Sequence, residues 1–246
     1  MRRFYIDPEQ LEKTEPRITG KQAGHIRKVL RLTEGENISL VDGTGRIFDA
    51  RIVGFEHEAV RVVVHGQAED QSESALELIV AQGFLKENKM DDLVRQLTEL
   101  GITRFIPMIT ERTVARPDAK RLEKRIKRWQ SIAVEAVKQC KRSKAPTISS
   151  AMEFSEVLEL ANTVKLPVFF WEKANFTIPL NIEAHPPSVL IMLGPEGGFT
   201  EYESGQAEKQ GFYSATLGPR ILRAETAAIA ACTLAQYLFG DLQKSP

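Results

Sequence analysis

Two glycine-rich stretches near the end of the chain constrain its fold most. Leu193-Gly194-Pro195-Glu196-Gly197-Gly198-Phe199-Thr200 follows the apolar run at residues 189–193. Leu217-Gly218-Pro219-Arg220-Ile221-Leu222-Arg223-Ala224-Glu225-Thr226-Ala227-Ala228 follows a second run at 213–217. Each leads into a segment of helical character. Two successive strand–loop–helix units predict an open α/β sheet, with both loops at the carboxyl ends of neighbouring strands, where such sheets bind ligands. Glycine lets the backbone approach a ligand closely, while Pro195 and Pro219 stiffen the turns. Thr200 and Glu203 form a capping box for a helix over 201–210, with Gly211 just past its end. Glu225 falls in the first turn of the last helix, over 225–239.

The chain has 246 residues, enough for one large domain or a small one beside a medium one. Its 42% hydrophobic and 27% charged content is ordinary for a globular protein. No apolar run approaches the ~20 residues of a membrane-spanning helix. The first ten residues carry charges and no apolar core, so no secretory signal is expected. Cys140 and Cys232 stand far apart and read as plain thiols of a cytoplasmic protein. The histidines show no i, i+4 pair, hence no metal signature.

Net charge is zero, but it is unevenly spread. Residues 1–72 hold 11 Lys+Arg against 12 Asp+Glu, 73–150 hold 16 against 10, and 151–246 hold 6 against 11. The excess concentrates at 112–144, with 12 basic and 3 acidic residues. That asymmetry suits a surface facing a polyanion.

Residues 1–65 read as β-rich, with strands at 2–6, 37–41, 46–53 and 59–65. Asp42-Gly43-Thr44-Gly45 is a hairpin turn signal, and strands this short and close predict a small barrel. Between them, 24–32 reads as an amphipathic helix or strand, carrying His25, Arg27, Lys28 and Arg31 around Ile26, Val29, Leu30 and Leu32. Residues 66–74 are polar and read as a linker, dividing the chain into domains 1–72 and 73–246. A strand at 76–81, a helix at 89–100 with Met90, Leu93, Val94, Leu97 and Leu100 on one face, and a strand at 102–109 make a βαβ unit. A long helix over 119–140 buries Leu122, Ile126, Trp129, Ala133, Ala136 and Val137, and its flanking basic residues form an electrostatic footprint for nucleic acid. A short helix at 155–161 and a strand at 167–171 follow, and 175–187 reads as loop. That strand's end brings Phe170, Trp171 and Glu172 to the glycine-loop edge, although a core role suits the aromatics better. The alanine-rich last helix lets another element pack very close.

The pair GPEGGF and LGPRILRAETA resembles the paired motif of the RsmE family. Members are S-adenosylmethionine-dependent methyltransferases of the SPOUT superfamily that modify N3 of one uridine in 16S ribosomal RNA. The likeness extends along the chain. His25, Val29, Leu30 and Arg31 match a His-x-x-x-Val-Leu-Arg stretch, Lys86, Lys89, Gln96, Glu99, Leu100, Gly101 and Pro107 a central segment, and Glu135, Ala136, Gln139 and Arg142 a basic one. The resemblance implies an α/β SPOUT domain with a parallel sheet and a deep C-terminal trefoil knot, preceded by a small PUA-like β-barrel. It also implies a homodimer through the knotted region and the assembled small ribosomal subunit as substrate.

By that resemblance the cofactor, S-adenosyl-L-methionine, is expected against Phe170, Trp171, Glu172, Leu193, Gly194, Pro195, Glu196, Gly197, Leu217, Gly218, Ile221, Leu222, Arg223 and Thr226. RNA is expected at Arg2, Arg3, His25, Arg27, Lys28, Arg31, Lys86, Arg121, Arg125 and Arg142, through phosphate contacts rather than base reading. Lys86 and Lys89 fit a solvated helix start equally well. The uracil N3–H must lose its proton as the methyl arrives. Arg223 is the candidate to polarise a uracil carbonyl, and Glu196 or Glu225 either to accept the proton or merely to hold Arg223 in place.

Three other readings compete. A SPOUT ribose 2′-O-methyltransferase is disfavoured, since those resemble GNEGxG and SLNVxxA patterns. A non-catalytic ribosome-assembly factor explains the charge but leaves two glycine loops without purpose. A P-loop enzyme would need Gly-Lys-Ser/Thr, which is absent.

Overall fold

The computed structural model describes residues 2–68, 72–86, 88–114, 118–174 and 186–243, and everything below concerns these. Part of the expected linker, 69–71, and most of the expected loop, 175–185, lie outside them. The chain divides into two compact units, Met1–Glu73 with Val137–Ala145, and Ser74–Ala136 with Pro146–Pro246.

In the first unit, β1 (Arg3–Tyr5), β2 (Arg17–Thr19), β3 (Asn37–Val41), β4 (Ile47–Phe55) and β5 (Ala59–Ala68) form a sheet in the order β1-β3-β4-β5-β2. Only the β1–β3 pair is parallel. A short helix α1 (Pro8–Leu11) precedes β2, and α2 (Gly20–Gly24) follows it and continues as a π turn over His25–Val29. The ambiguous 24–32 segment is therefore helical as far as Val29, and irregular beyond it. Its Ile26 is fully buried with Ile18, Ile38, Leu40, Ile52 and Val60, which form the core of this unit. The hairpin turn folds as its sequence demands. The Asp42 carboxylate accepts from Thr44 N–H (2.9 Å), Thr44 Oγ1 (2.8 Å) and Arg46 Nε (2.6 Å). Two readings need correction. Gly66–Ala68 belongs to β5 rather than to a linker, because its residues still pair with Ile47, Phe48 and Asp49. A division at 72/73 also omits Val137–Ala145, which Glu73 holds to the first unit. The Glu73 carboxylate accepts from Arg142 Nη2 (2.7 Å), Ser143 N–H (2.9 Å) and Lys144 N–H (3.1 Å).

The second unit is built on a parallel sheet. Its strands are β6 (Glu77–Gly83), β7 (Arg104–Ile109), β8 (Thr147–Ile148), β9 (Met152–Glu153), β10 (Leu166–Phe170), β11 (Ser188–Leu193) and β12 (Tyr213–Ala215). Their order is β12-β10-β11-β6-β7-β8, with β9 also pairing β7. Every pair is parallel. The helices are α3 (Lys89–Glu99), α4 (Ala119–Cys140, of which residues up to Ala136 belong to this unit), α5 (Phe154–Glu159, followed by a 3-10 turn over Leu160–Thr163), α6 (Glu201–Lys209) and α7 (Ala224–Phe239). The central strands read as unbroken apolar runs because both sheet faces are covered. Leu78, Val80, Val189, Ile191 and Leu193 point into one core with residues of α3, α4 and α7. Ile79, Ala81, Leu190 and Met192 point into the other with α5 and Ala207 of α6. The alanine stripe of α7 (Ala228, Ala231, Ala235) and Cys232 is buried against α3, β6 and β11, so small side chains permit that close approach.

Candidate active site

The first glycine loop leaves β11 and the second leaves β12. These strands are not neighbours, as the sequence reading has them, because β10 lies between. The correction matters, since the two loops flank the carboxyl end of β10 and enclose Phe170, Trp171 and Glu172 with them. A cavity of about 440 Å³ opens there. Among the described residues, twelve of the fourteen assigned to a cofactor line it, and Gly218 and Thr226 do not. Lys89, Thr216 and Arg220 line it as well.

The first loop is fixed from below. Gln82, fully buried at the end of β6, donates from Nε2 to the Gly194 carbonyl at 2.7 Å and to the Gly83 carbonyl at 3.1 Å. Gly83 is there because nothing larger fits: a Cβ would stand 2.5 Å from Pro195 N. From the side, Arg112 Nη1 donates to the Gly197 carbonyl at 2.9 Å. The capping box forms as read, with Thr200 N–H donating to Glu203 Oε2 (2.8 Å) and Glu203 N–H to Thr200 Oγ1 (3.2 Å). Glu203 is buried and its other oxygen accepts from Glu111 N–H at 2.9 Å.

Three charged groups meet at one wall. Glu196 Oε1 accepts from Lys86 N–H at 3.0 Å and from Lys89 Nζ at 3.3 Å. Lys89 Nζ also lies 3.6 Å from Glu225 Oε2, an ion pair too long to be a hydrogen bond. Burial works to raise the Glu196 carboxyl, but the N–H groups of Lys86 and of Glu196 itself, with the Lys89 ammonium, outweigh it and hold the group below its ordinary value. The hydrogen bond to Glu196, against a smaller burial penalty and with help from the Glu225 charge, holds Lys89 above its own. Glu225 Oε2 is buried without a hydrogen-bond partner. So is Trp171 Nε1. Arg223, at the N-cap of α7, is exposed, and its guanidinium makes no hydrogen bond or ion pair among the described residues; the guanidinium of Arg220 is likewise free.

The residues assigned to RNA have diverse surroundings. In the first unit Arg2, His25, Lys28 and Arg31 are exposed. Arg3 Nη1 donates to the Lys141 carbonyl at 2.8 Å. Arg27 Nη1 is engaged by the carbonyls of Glu56 and His57. Arg142 is a correction: it is buried, and its guanidinium grips Glu73, so it is not open to a phosphate. In the second unit Lys86 is exposed, Arg125 half-buried, and Arg121 exposed with Asp118 3.1 Å away.

A family model described as RNA methyltransferase domain matches residues 72–236. A second, described as RNA methyltransferase PUA domain, matches residues 18–64. The ribosomal RNA small subunit methyltransferase E of Bacillus subtilis (strain 168) is 30% identical over 247 residues, covering 96% of each chain. The chain belongs to the ribosomal RNA small subunit methyltransferase E family. The Synechocystis member is 31% identical over 229 residues, 92% of this chain and 74% of that relative. The crystal structure of the Neisseria gonorrhoeae member, described as bound to S-adenosyl methionine, superposes with a TM-score of 0.76 at 32% identity, over 98% of this chain and 99% of that one.

The sequence offers Lys89 as an RNA contact or a solvated helix-start residue, and neither is the place it takes at the cavity wall. The signal was its place at the start of the first helix after β6, where an ammonium reaches back over the strand ends. Gln82 and Arg112 carried no such signal, because their partners are carbonyls 112 and 85 residues away.

Proposed function

We propose that this protein transfers a methyl group from S-adenosyl-L-methionine to N3 of a specific uridine in 16S ribosomal RNA of the small ribosomal subunit. The observation that carries the reading is the cavity between the two glycine loops, with the free guanidinium of Arg223 and a Glu225 carboxylate oxygen that has no hydrogen bond on its lining. Its volume lies within the ~300–1,000 Å³ of small-molecule sites.

The cavity fits the cofactor on its own terms. Phe170, Leu193, Leu217, Ile221 and Leu222 supply apolar walls for an adenine. The loop backbones supply hydrogen-bonding groups, and the buried Trp171 Nε1–H needs an acceptor. When bound, the cofactor supplies an electrophilic methyl group on a sulfonium. The chain's own residues must then hold the base and manage its proton. The free guanidinium of Arg223 on the cavity lining supports a role in polarising a uracil carbonyl and stabilising charge that develops as N3–H ionises. Between the two candidate proton acceptors we favour Glu225. Glu196 is already engaged by two donors, whereas Glu225 keeps a desolvated oxygen without a hydrogen bond. The target base has to be reached outside a stack or in a single strand.

We read the first unit, Met1–Glu73 with Val137–Ala145, as a PUA-like barrel that supplies phosphate contacts through Arg2, Lys28 and Arg31, in a cytoplasmic protein. The remainder we read as a SPOUT domain whose C-terminal segment is knotted. Support comes from the chain path: it leaves the edge strand β12 and returns as α7 to β11, β6 and α3 near the sheet centre. Exposed Leu234, Tyr237 and Leu242 favour a homodimer through this region.

The test is transfer of labelled methyl from S-adenosylmethionine to unmodified small ribosomal subunits, followed by nucleoside analysis. Label in 3-methyluridine is expected. Label in a 2′-O-methyl nucleoside would replace the N3 reading with the ribose one. Failure to bind the cofactor at all would leave an assembly factor.

A further inference from the structure

Lys89 is the first residue of α3, and its side chain reaches the cavity that the two glycine loops line. Its ammonium lies 3.3 Å from Glu196, on the first loop, and 3.6 Å from Glu225, at the start of α7 beyond the second. A single cation therefore joins three elements that the sequence holds far apart. The carboxylates it joins would otherwise face each other as like charges and push the loops apart. Their side chains are about a quarter exposed, at 27% and 25%, so water screens this repulsion only in part. The two ends of the contact differ. Glu196 is pinned a second time, by Lys86 N–H, whereas Glu225 has only the ammonium to fix its Oε2. The other charged groups facing the cavity are Glu172, after β10, and Arg220 and Arg223 on the second loop; none is paired with Glu225.

We propose that Lys89 is a positioning residue, which clamps the first loop to the start of α7 and holds the Glu225 carboxylate toward the reacting base. This rests on the methyltransferase reading above. The clamp acts on the proton acceptor rather than on the cofactor. The strand-end backbone that would hold the cofactor is fixed separately, by Gln82 at Gly194. The low-lying Glu196 carboxyl and the raised Lys89 ammonium are the electrostatic trace of the same contact.

The test compares Lys89→Met, which keeps the stem and loses the charge, with Lys89→Arg, which keeps the charge. In the ligand-free protein, carbon-detected NMR of Glu196 should show its titration midpoint moving upward in Lys89→Met and staying low in Lys89→Arg. Calorimetry with S-adenosylmethionine should show affinities within about threefold of wild type for both. In methyl transfer, Lys89→Met should lower kcat by about tenfold, well within what a misplacement of about 1 Å costs, and Lys89→Arg should recover most of it. An unmoved Glu196 midpoint would overturn the clamp whether or not the protein transfers methyl groups. Wild-type kcat in Lys89→Met would overturn the positioning role. So would parallel losses of kcat and cofactor affinity that arginine fails to recover, since those describe a merely structural lysine. A wild-type protein that binds the cofactor but methylates nothing would sink the functional reading instead, and the Glu196 midpoint would still decide the clamp.

Discussion

The Gln82 side-chain amide donates to the Gly194 carbonyl at 2.7 Å, joining the end of β6 to the first residue of the glycine loop beyond β11. The strands are paired in register at this point, Gln82 opposite Leu193. Gln82 is fully buried, so water cannot replace it. Gln82→Leu should cost about 1–3 kcal/mol in chemical denaturation, the cost of an acceptor left unsatisfied in the interior. It should also weaken cofactor binding in calorimetry, because the loop loses its support from below. Wild-type affinity would show that the loop holds its shape without this bond.

Arg142 and Glu73 make a different prediction from the one their charges invite. Both belong to the first unit, and the arginine side chain is only 8% exposed. Removing one member of a buried pair leaves an uncompensated charge, so Arg142→Ala should destabilise by about 3–5 kcal/mol. The exposed Arg121, 81% accessible beside Asp118, should cost less than about 1 kcal/mol when replaced by alanine. Denaturant unfolding of the two variants separates them. Equal stabilities would mean that the Glu73 contact contributes nothing.

What the sequence revealed, and what it hid, follows the range of the forces involved. The capping box at Thr200 and the turn at Asp42 are local hydrogen-bond patterns within four residues, and both fold as their spacing dictates. β6 and β11 were legible as apolar runs because burial on both faces leaves no polar positions. β2, β8 and β9 have two or three residues each, too few to display any period. The insertion of β10 between β12 and β11 depends on where crossovers land, which no local pattern records. Arg142 misled for a related reason. It sits in a basic run, and the carboxylate that buries it lies 69 residues away.

Asp42 predicts a pH dependence. Burial works to raise its carboxyl, but the Thr44 N–H and hydroxyl and the Arg46 guanidinium outweigh that and hold it below its ordinary 3.8. A carboxyl lowered on folding contributes stability that is complete above its unfolded value and is lost as pH falls through the folded one. Wild-type stability should therefore decline on the acid side, below about pH 4. Asp42→Asn, which cannot ionise, should begin less stable at neutral pH and show a shallower acid decline. Parallel stability–pH curves for the two proteins would remove Asp42 from the account.

Gly83 offers the sharpest test of how the first loop is seated. A Cβ on Gly83 would stand 2.5 Å from Pro195 N and 2.9 Å from the Gly194 carbonyl carbon. Both are backbone atoms, so no flexible side chain can yield, and the loop itself must move. Gly83→Ala should cost about 1–3 kcal/mol, as overpacking does, and abolish cofactor binding at concentrations that saturate wild type. Gly211 is the control. Its φ of +89° disfavours alanine, but nothing lies within 4 Å of the added carbon. Gly211→Ala should cost about 1 kcal/mol through backbone strain alone and leave cofactor affinity as it is. The contrast holds only if the loop rests directly on β6. A Gly83→Ala protein that binds the cofactor like wild type would show that the loop is free to rise, and that the shape of the cavity is set elsewhere.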